Sequence, residues 1–293
     1  MEYDFCLRID FEKRSKNPSR VFTSMANYIE CFKEIDDIMS KTIDSKISSV
    51  LLLEDIESGS LKSFFRNVLT SVDDNALKSG DWKKLVGGYL VKVKYKILEF
   101  LEDKNQIESR EEIEGLQNEI HLLAEETNVR ALPGYAKIPM ENLLYGIRRI
   151  STSSRILTKK DKVEFITPYN VVKINKEFIY DSDLVEELLT RETISNISEM
   201  ILKVKKPDYL GESMWDFKHG DRALQAKFTN IEWLKEFQSR KFDIRPGDSI
   251  RAKVETQIKY GFTDEIIATH YFISDVLEII KGSNNILNED LFN

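Results

Sequence analysis

Cysteine and histidine are scarce in this chain of 293 residues, with two of the first and three of the second. Cys6 and Cys31 cannot build a disulfide framework, so both read as buried free thiols, one in a strand and one in a helix. His121, His219 and His270 fall at no metal-ligand spacing, which leaves a metal held through nitrogen or sulfur without support. Glycine is also sparse, at 12 residues. No Gly-x-x-x-x-Gly-Lys, Gly-x-Gly-x-x-Gly or Gly-x-Ser-x-Gly occurs, so neither a nucleotide-cradling loop nor a hydrolase elbow is indicated, and no cofactor is expected. No apolar run is long enough to span a bilayer, and Met1-Glu2-Tyr3-Asp4 lacks the basic start of a secretory signal. A cytoplasmic protein with no membrane partner is the expectation. Positive charge is in the minority, with Lys+Arg at 43 against Asp+Glu at 50, a formal net charge of -7. Any contact with nucleic acid must therefore come from a local basic patch, because the global field is repulsive.

What is present is apolar content of 41%, with 10% aromatic, enough for two ordinary cores. The class expected is α+β: an N-terminal mixed sheet with long helices over residues 1–192, a small antiparallel β-barrel over 193–281, and a flexible acidic tail over 282–293. Tyr3, Phe5, Leu7, Ile9 and Phe11 alternate as a strand with one face on a core. From Pro18, Val21, Phe22, Met25, Ile29, Phe32, Ile35 and Met39 recur at helical spacing. The continuous run Val50-Leu51-Leu52-Leu53 predicts a central strand buried on both faces. Ser58-Gly59-Ser60 then predicts a cap for a helix with Leu61, Phe64, Phe65, Val68 and Leu69 on its stripe. A helix from Trp82 carries Lys83, Lys84, Lys92, Lys94 and Lys96, read as a solvated basic face.

The stretch from Ile197 to Ile280 reads as a complete unit. Met200, Ile201, Leu202 and Val204 form a strand that ends at Pro207. Trp215 and Phe217 lead into the turn Lys218-His219-Gly220-Asp221, from which Leu224, Ala226 and Phe228 alternate outward. Thr229-Asn230 caps a short helix bearing Ile231, Leu234 and Phe237. Pro246-Gly247-Asp248 makes a turn into a strand with Ile250, Ala252 and Val254, and a last strand follows. Three strands, a helix and two strands resemble the OB-fold, a five-stranded barrel with a helix between its third and fourth strands.

That resemblance implies binding of single strands on the face of the second and third strands, where basic and aromatic side chains gather. The candidate nucleic-acid-binding residues are Lys218, Arg222 and Lys227 on the hairpin, with Arg251 and Lys253 on the next strand. Trp215 and Phe217 share one face, which alternation assigns to the barrel interior. Separately, Pro207-Asp208 followed by Gln225-Ala226-Lys227 resembles the Pro-Asp…Asp/Glu-x-Lys signature of a nuclease superfamily. It implies Asp208 and Gln225 as Mg²⁺ ligands and Asp208 and Lys227 in catalytic roles, with Gln225 departing from the usual carboxylate. The leading expectation is a non-enzymatic binding or scaffold protein whose barrel contacts single-stranded nucleic acid or a protein partner. The alternatives are that Mg²⁺-dependent nuclease and an assembly subunit binding only protein, including a second copy of itself.

Overall fold

The computed structural model describes residues 3–57, 60–71, 82–132 and 134–282. The chain divides into two compact units, Met1–Val185 and Glu186–Asn293. The tail expected over 282–293 lies outside the described residues from 283 onward.

In the first unit, a five-stranded sheet has the order β2-β3-β1-β4-β5, with β1 Phe5–Asp10, β2 Ile47–Glu57, β3 Leu61–Ser71, β4 Lys162–Ile166 and β5 Val171–Lys173. Alternation in β1 sends Phe5, Leu7 and Ile9 into the core at 0% exposure, where Phe5 stacks between Phe65 and Phe165 at 5.3 and 4.8 Å. Against this face lies α1 Ser19–Ile43, whose Phe32 meets Phe5 edge-on. Helices α2 Trp82–Leu101, α3 Arg110–Glu126 and α4 Met140–Ser154 belong to this unit, and α5 Ser182–Leu189 runs across the division in sequence. Cys6 and Cys31 are buried free thiols, and burial pushes them up to about 11 and about 12, so neither is a nucleophile at neutral pH.

Every pairing in this sheet is antiparallel, where a mixed sheet was expected, and three further expectations for this unit are corrected. Residues 61–71 are a strand, and the Ser58-Gly59 part of the expected cap falls outside the described residues. An i, i+3, i+4 stripe fits residues 61–69, but Ser63, Asn67, Val68, Thr70 and two phenylalanines are poor helix formers, and β2 and β1 offer ladders on both sides. Second, β2 is an edge strand. Val50, Leu52, Leu53 and Ile56 are 40–55% exposed, because a continuous apolar run shows how apolar a strand is and not how many neighbours it has. Third, Lys94 is not on a solvated face: it is fully buried against Asp36 of α1, and its ammonium lies 5.1 Å from the centre of the Phe5 ring.

In the second unit, β6 Glu192–Lys206, β7 Trp215–His219, β8 Arg222–Phe228, β9 Ser249–Tyr260 and β10 Ile266–Ile280 close into a barrel in the order β10-β8-β7-β6-β9. All neighbours are antiparallel except β8 and β10, which run parallel. Helix α6 Ile231–Gln238 stands between β8 and β9; the Asn230 side chain caps it by accepting from the Trp233 amide. Its Trp233 stacks on Phe228 at 4.8 Å and its Phe237 packs on Trp215 at 4.7 Å, plugging the core. This order, with the parallel closure, is compatible with an OB-like fold. At the α6–β9 junction Gly247 takes φ 101°, a conformation that glycine alone adopts without strain.

The core of this unit, centred on Trp215, Phe217, Phe228, Ile250 and Val254, is contributed by its own strands and helix. A fragment of residues 186–282 is therefore expected to fold alone, with a cooperative thermal transition and a dispersed amide spectrum. A collapsed spectrum would mean that the barrel core depends on residues outside the fragment.

Candidate nucleic-acid interface

Period-two alternation sorts the side chains of β6, β7 and β8. Leu202, Val204, Trp215, Phe217, Ala226 and Phe228 point inward and are at most 3% exposed. Both large aromatics of the hairpin thus belong to the core, as alternation requires, and neither is available for stacking. The opposite face carries Lys203 and Lys205 on β6, Lys218 on β7 and Gln225 and Lys227 on β8. Lys203 sits opposite Lys218 in register, and Asp216 opposite Gln225.

Toward the start of β8 the wall opens. Strands β8 and β10 pair only at Phe272 with Lys227 and Ile273 with Phe228; before these residues they part around a groove of about 910 Å³. Its lining includes Lys205, Arg222, Lys227, His219 and His270, with Tyr271, Phe272, Met214 and Leu224. His270 Nε2 lies 2.7 Å from Glu186 Oε1, and Lys259 Nζ lies 2.7 Å from the same oxygen. Burial alone would raise the Glu186 carboxyl, but these two partners outweigh it and hold it below the usual range. His219 contacts the Ile201 carbonyl through Nδ1 at 3.0 Å.

The five candidate cations separate by their partners. Arg251 is 3.2 Å from Glu278 and 3.8 Å from Glu199, and Lys253 is 3.7 Å from Asp275, so the β9 cations are balanced by carboxylates on β6 and β10. Lys218 lies 3.3 Å from Asp221 in its own turn. Arg222 and Lys227 line the groove and have no carboxylate partner among the described residues; nor do Lys203 and Lys205. The lysines of β6 belong with this set although the hairpin alone does not reveal them. Their Lys-x-Lys spacing, alternating with inward Leu202 and Val204, is the signal that finds them. Tyr271 and Phe272 join through the parallel closure, a pairing between residues some 45 positions apart that no local pattern encodes.

Asp208 sits elsewhere, in the loop between β6 and β7. Its Oδ1 accepts from the amides of Leu210 and Gly211, both at 2.9 Å, and its Oδ2 from the amide and hydroxyl of Ser213 at 3.1 and 2.5 Å. The Ser213 hydroxyl and these amides hold its carboxyl far below the usual range. Gln225 donates to Asp216 at 2.8 Å. Asp208 does not line the groove that Gln225 and Lys227 share, and among the described residues no group of three His, Cys, Asp or Glu could hold a metal ion. No helix among the described residues is long and apolar enough to cross a membrane. No family model, curated protein or solved structure matches the chain.

Proposed function

We propose that the second unit is an OB-like module that binds single-stranded nucleic acid along β6, β7 and β8 and into the groove beside β10, and that the protein acts as a binder and not as an enzyme. One observation carries this reading: the cations on the β9 face are neutralised by carboxylates, whereas Lys203, Lys205, Arg222 and Lys227 have none among the described residues, on the face where the groove opens. Unpaired cations beside partly exposed aromatic rings are what a backbone of phosphates with unstacked bases requires. Tyr271 and Phe272 are the rings placed to meet bases, and Phe272 lies in register with Lys227.

Anisotropy of a fluorescently labelled oligonucleotide tests it. Binding is expected to be strongest at low salt. A Lys205→Ala, Arg222→Ala, Lys227→Ala triple variant is expected to lose most of it, with a log-log salt slope smaller by about 2. An Arg251→Ala, Lys253→Ala variant is expected to stay within about twofold of wild type, since those cations are already paired. Equal affinity for wild type and the triple variant, or no binding at low salt, sinks the nucleic-acid reading and leaves a protein partner for this face.

A further inference from the structure

A second concave site lies in the first unit and shares no residue with the groove of the barrel. The loop from Phe11 to Pro18, the start of α1, the last residues of β2 and the first of β3 enclose a cleft of about 540 Å³, within the size range of small-molecule sites. Its walls are mainly apolar: Phe11, Pro18, Val21, Phe22, Ile56 and Leu61. Phe22 is 67% and Ile56 55% exposed, so two large apolar side chains stand at the rim where folding gives them no cover.

The cleft is also pre-formed. Asp161 Oδ1 accepts from the Glu12 amide at 2.9 Å, and Arg20 Nη1 donates to the Asn17 carbonyl at 2.7 Å, fastening both ends of the loop. Between these anchors Arg14 takes φ 65°, a left-handed conformation uncommon for a side-chain-bearing residue.

Charge identifies the ligand. Four charged residues line the cleft, and three are paired, Glu12 with Lys160 at 2.6 Å, Glu57 with Lys62 at 2.9 Å and Arg20 with Asp161 at 2.7 Å, while Arg14 has no partner among the described residues. We propose that this cleft binds a small amphipathic anion, an alkyl or aryl body seated on Phe11, Phe22, Ile56 and Leu61 with its carboxylate on the Arg14 guanidinium. A guanidinium matches a carboxylate with two parallel hydrogen bonds, and the apolar walls take the remainder.

The probes are 8-anilinonaphthalene-1-sulfonate, an aromatic body with an anionic end, and decanoate and decanol as competitors, all with the full-length chain. Saturable fluorescence enhancement by one equivalent of the probe is expected, with displacement by decanoate. Arg14→Gln is expected to weaken decanoate about tenfold, the size of one charge-assisted contact, while changing decanol less than twofold. Phe22→Ser is expected to weaken both competitors. Both positions are solvent-exposed, so melting temperatures should match wild type and keep the comparison clean. Absence of saturable binding, unchanged decanoate affinity in Arg14→Gln, or unchanged affinities in Phe22→Ser each overturns the proposal. None of these results bears on the barrel, whose oligonucleotide binding is measured separately.

Discussion

Asp161→Ala is expected to destabilise the first unit by about 3–5 kcal/mol, because it leaves the Arg20 guanidinium buried and unpaired. The two side chains are 2% and 0% exposed, and Arg20 reaches Asp161 through Nε at 2.9 Å and Nη2 at 2.7 Å. Three more donors converge on the same carboxylate: the Glu12 amide, and the amide and hydroxyl of Thr158. Thermal unfolding should shift down by roughly 6–20 °C for a unit of this size. Asp161→Asn keeps one acceptor oxygen and is expected to lose less. A melting temperature within about 2 °C of wild type for Asp161→Ala would mean that water reaches Arg20 in place of its partner.

The same carboxylate sets an acid limit. Burial alone would raise it, but Arg20 and the other donors outweigh burial and hold it far below the usual range. Its folded value lies under the unfolded value of about 3.9, so its contribution is complete above that pH and is lost as the pH falls further. The gap in urea midpoint between wild type and Asp161→Asn should therefore be narrower at pH 3 than at pH 7, without closing, since pH 3 still lies above the folded value.

Lys94→Ala is expected to have an effect of similar size, about 3–5 kcal/mol, for the complementary reason that a carboxylate is stranded. Lys94 and Asp36 are 0% and 1% exposed and hydrogen-bonded to each other, and the Oδ2 of Asp36 has no hydrogen-bond partner among the described residues. Burial pushes Asp36 up to about 6 even with the ammonium present, and pushes Lys94 down. Without Lys94 the carboxyl rises further above its unfolded value of about 3.9. The folded variant then holds a proton that the unfolded chain releases, so its deficit should shrink as the pH falls from 7 toward 5. An Asp36→Leu, Lys94→Met double variant removes both charges and is expected to be near neutral in stability, or more stable than wild type. A double variant as unstable as Lys94→Ala would show that the pair is needed for packing and not for charge balance.

Neither pair was legible in the sequence. Lys94 belongs to a run of lysines on α2 and reads with them, and only the approach of α1 separates it from Lys92 and Lys96. Arg20 and Asp161 are 141 positions apart. The barrel was far more legible because its information is local. Trp215 and Phe217, then Leu224, Ala226 and Phe228, fix a hairpin by alternation, and Asn230 announces the helix that plugs it. The residues 47–71 misled for a physical reason: apolarity by itself does not separate a central strand from an edge, nor a helical stripe from a strand whose partners lie on both sides. Within the candidate interface, Arg222 and Lys227 could be chosen from the hairpin, but the pairing of Arg251 and Lys253 with carboxylates could not. It depends on the registers that bring Glu199, Asp275 and Glu278 alongside β9.

The parallel seam between β8 and β10 gives the barrel an uneven resistance to opening. Twelve register pairs join β9 to β10 and twelve join β6 to β9, but two join β8 to β10. Amide exchange through brief local separation should therefore be fastest along that line, well before the whole unit unfolds. A strand of nucleic acid lying across Lys227 and Phe272 would contact both margins of this weak line at once. Occupancy would then act as a clasp, slowing exchange at residues that the ligand does not itself cover.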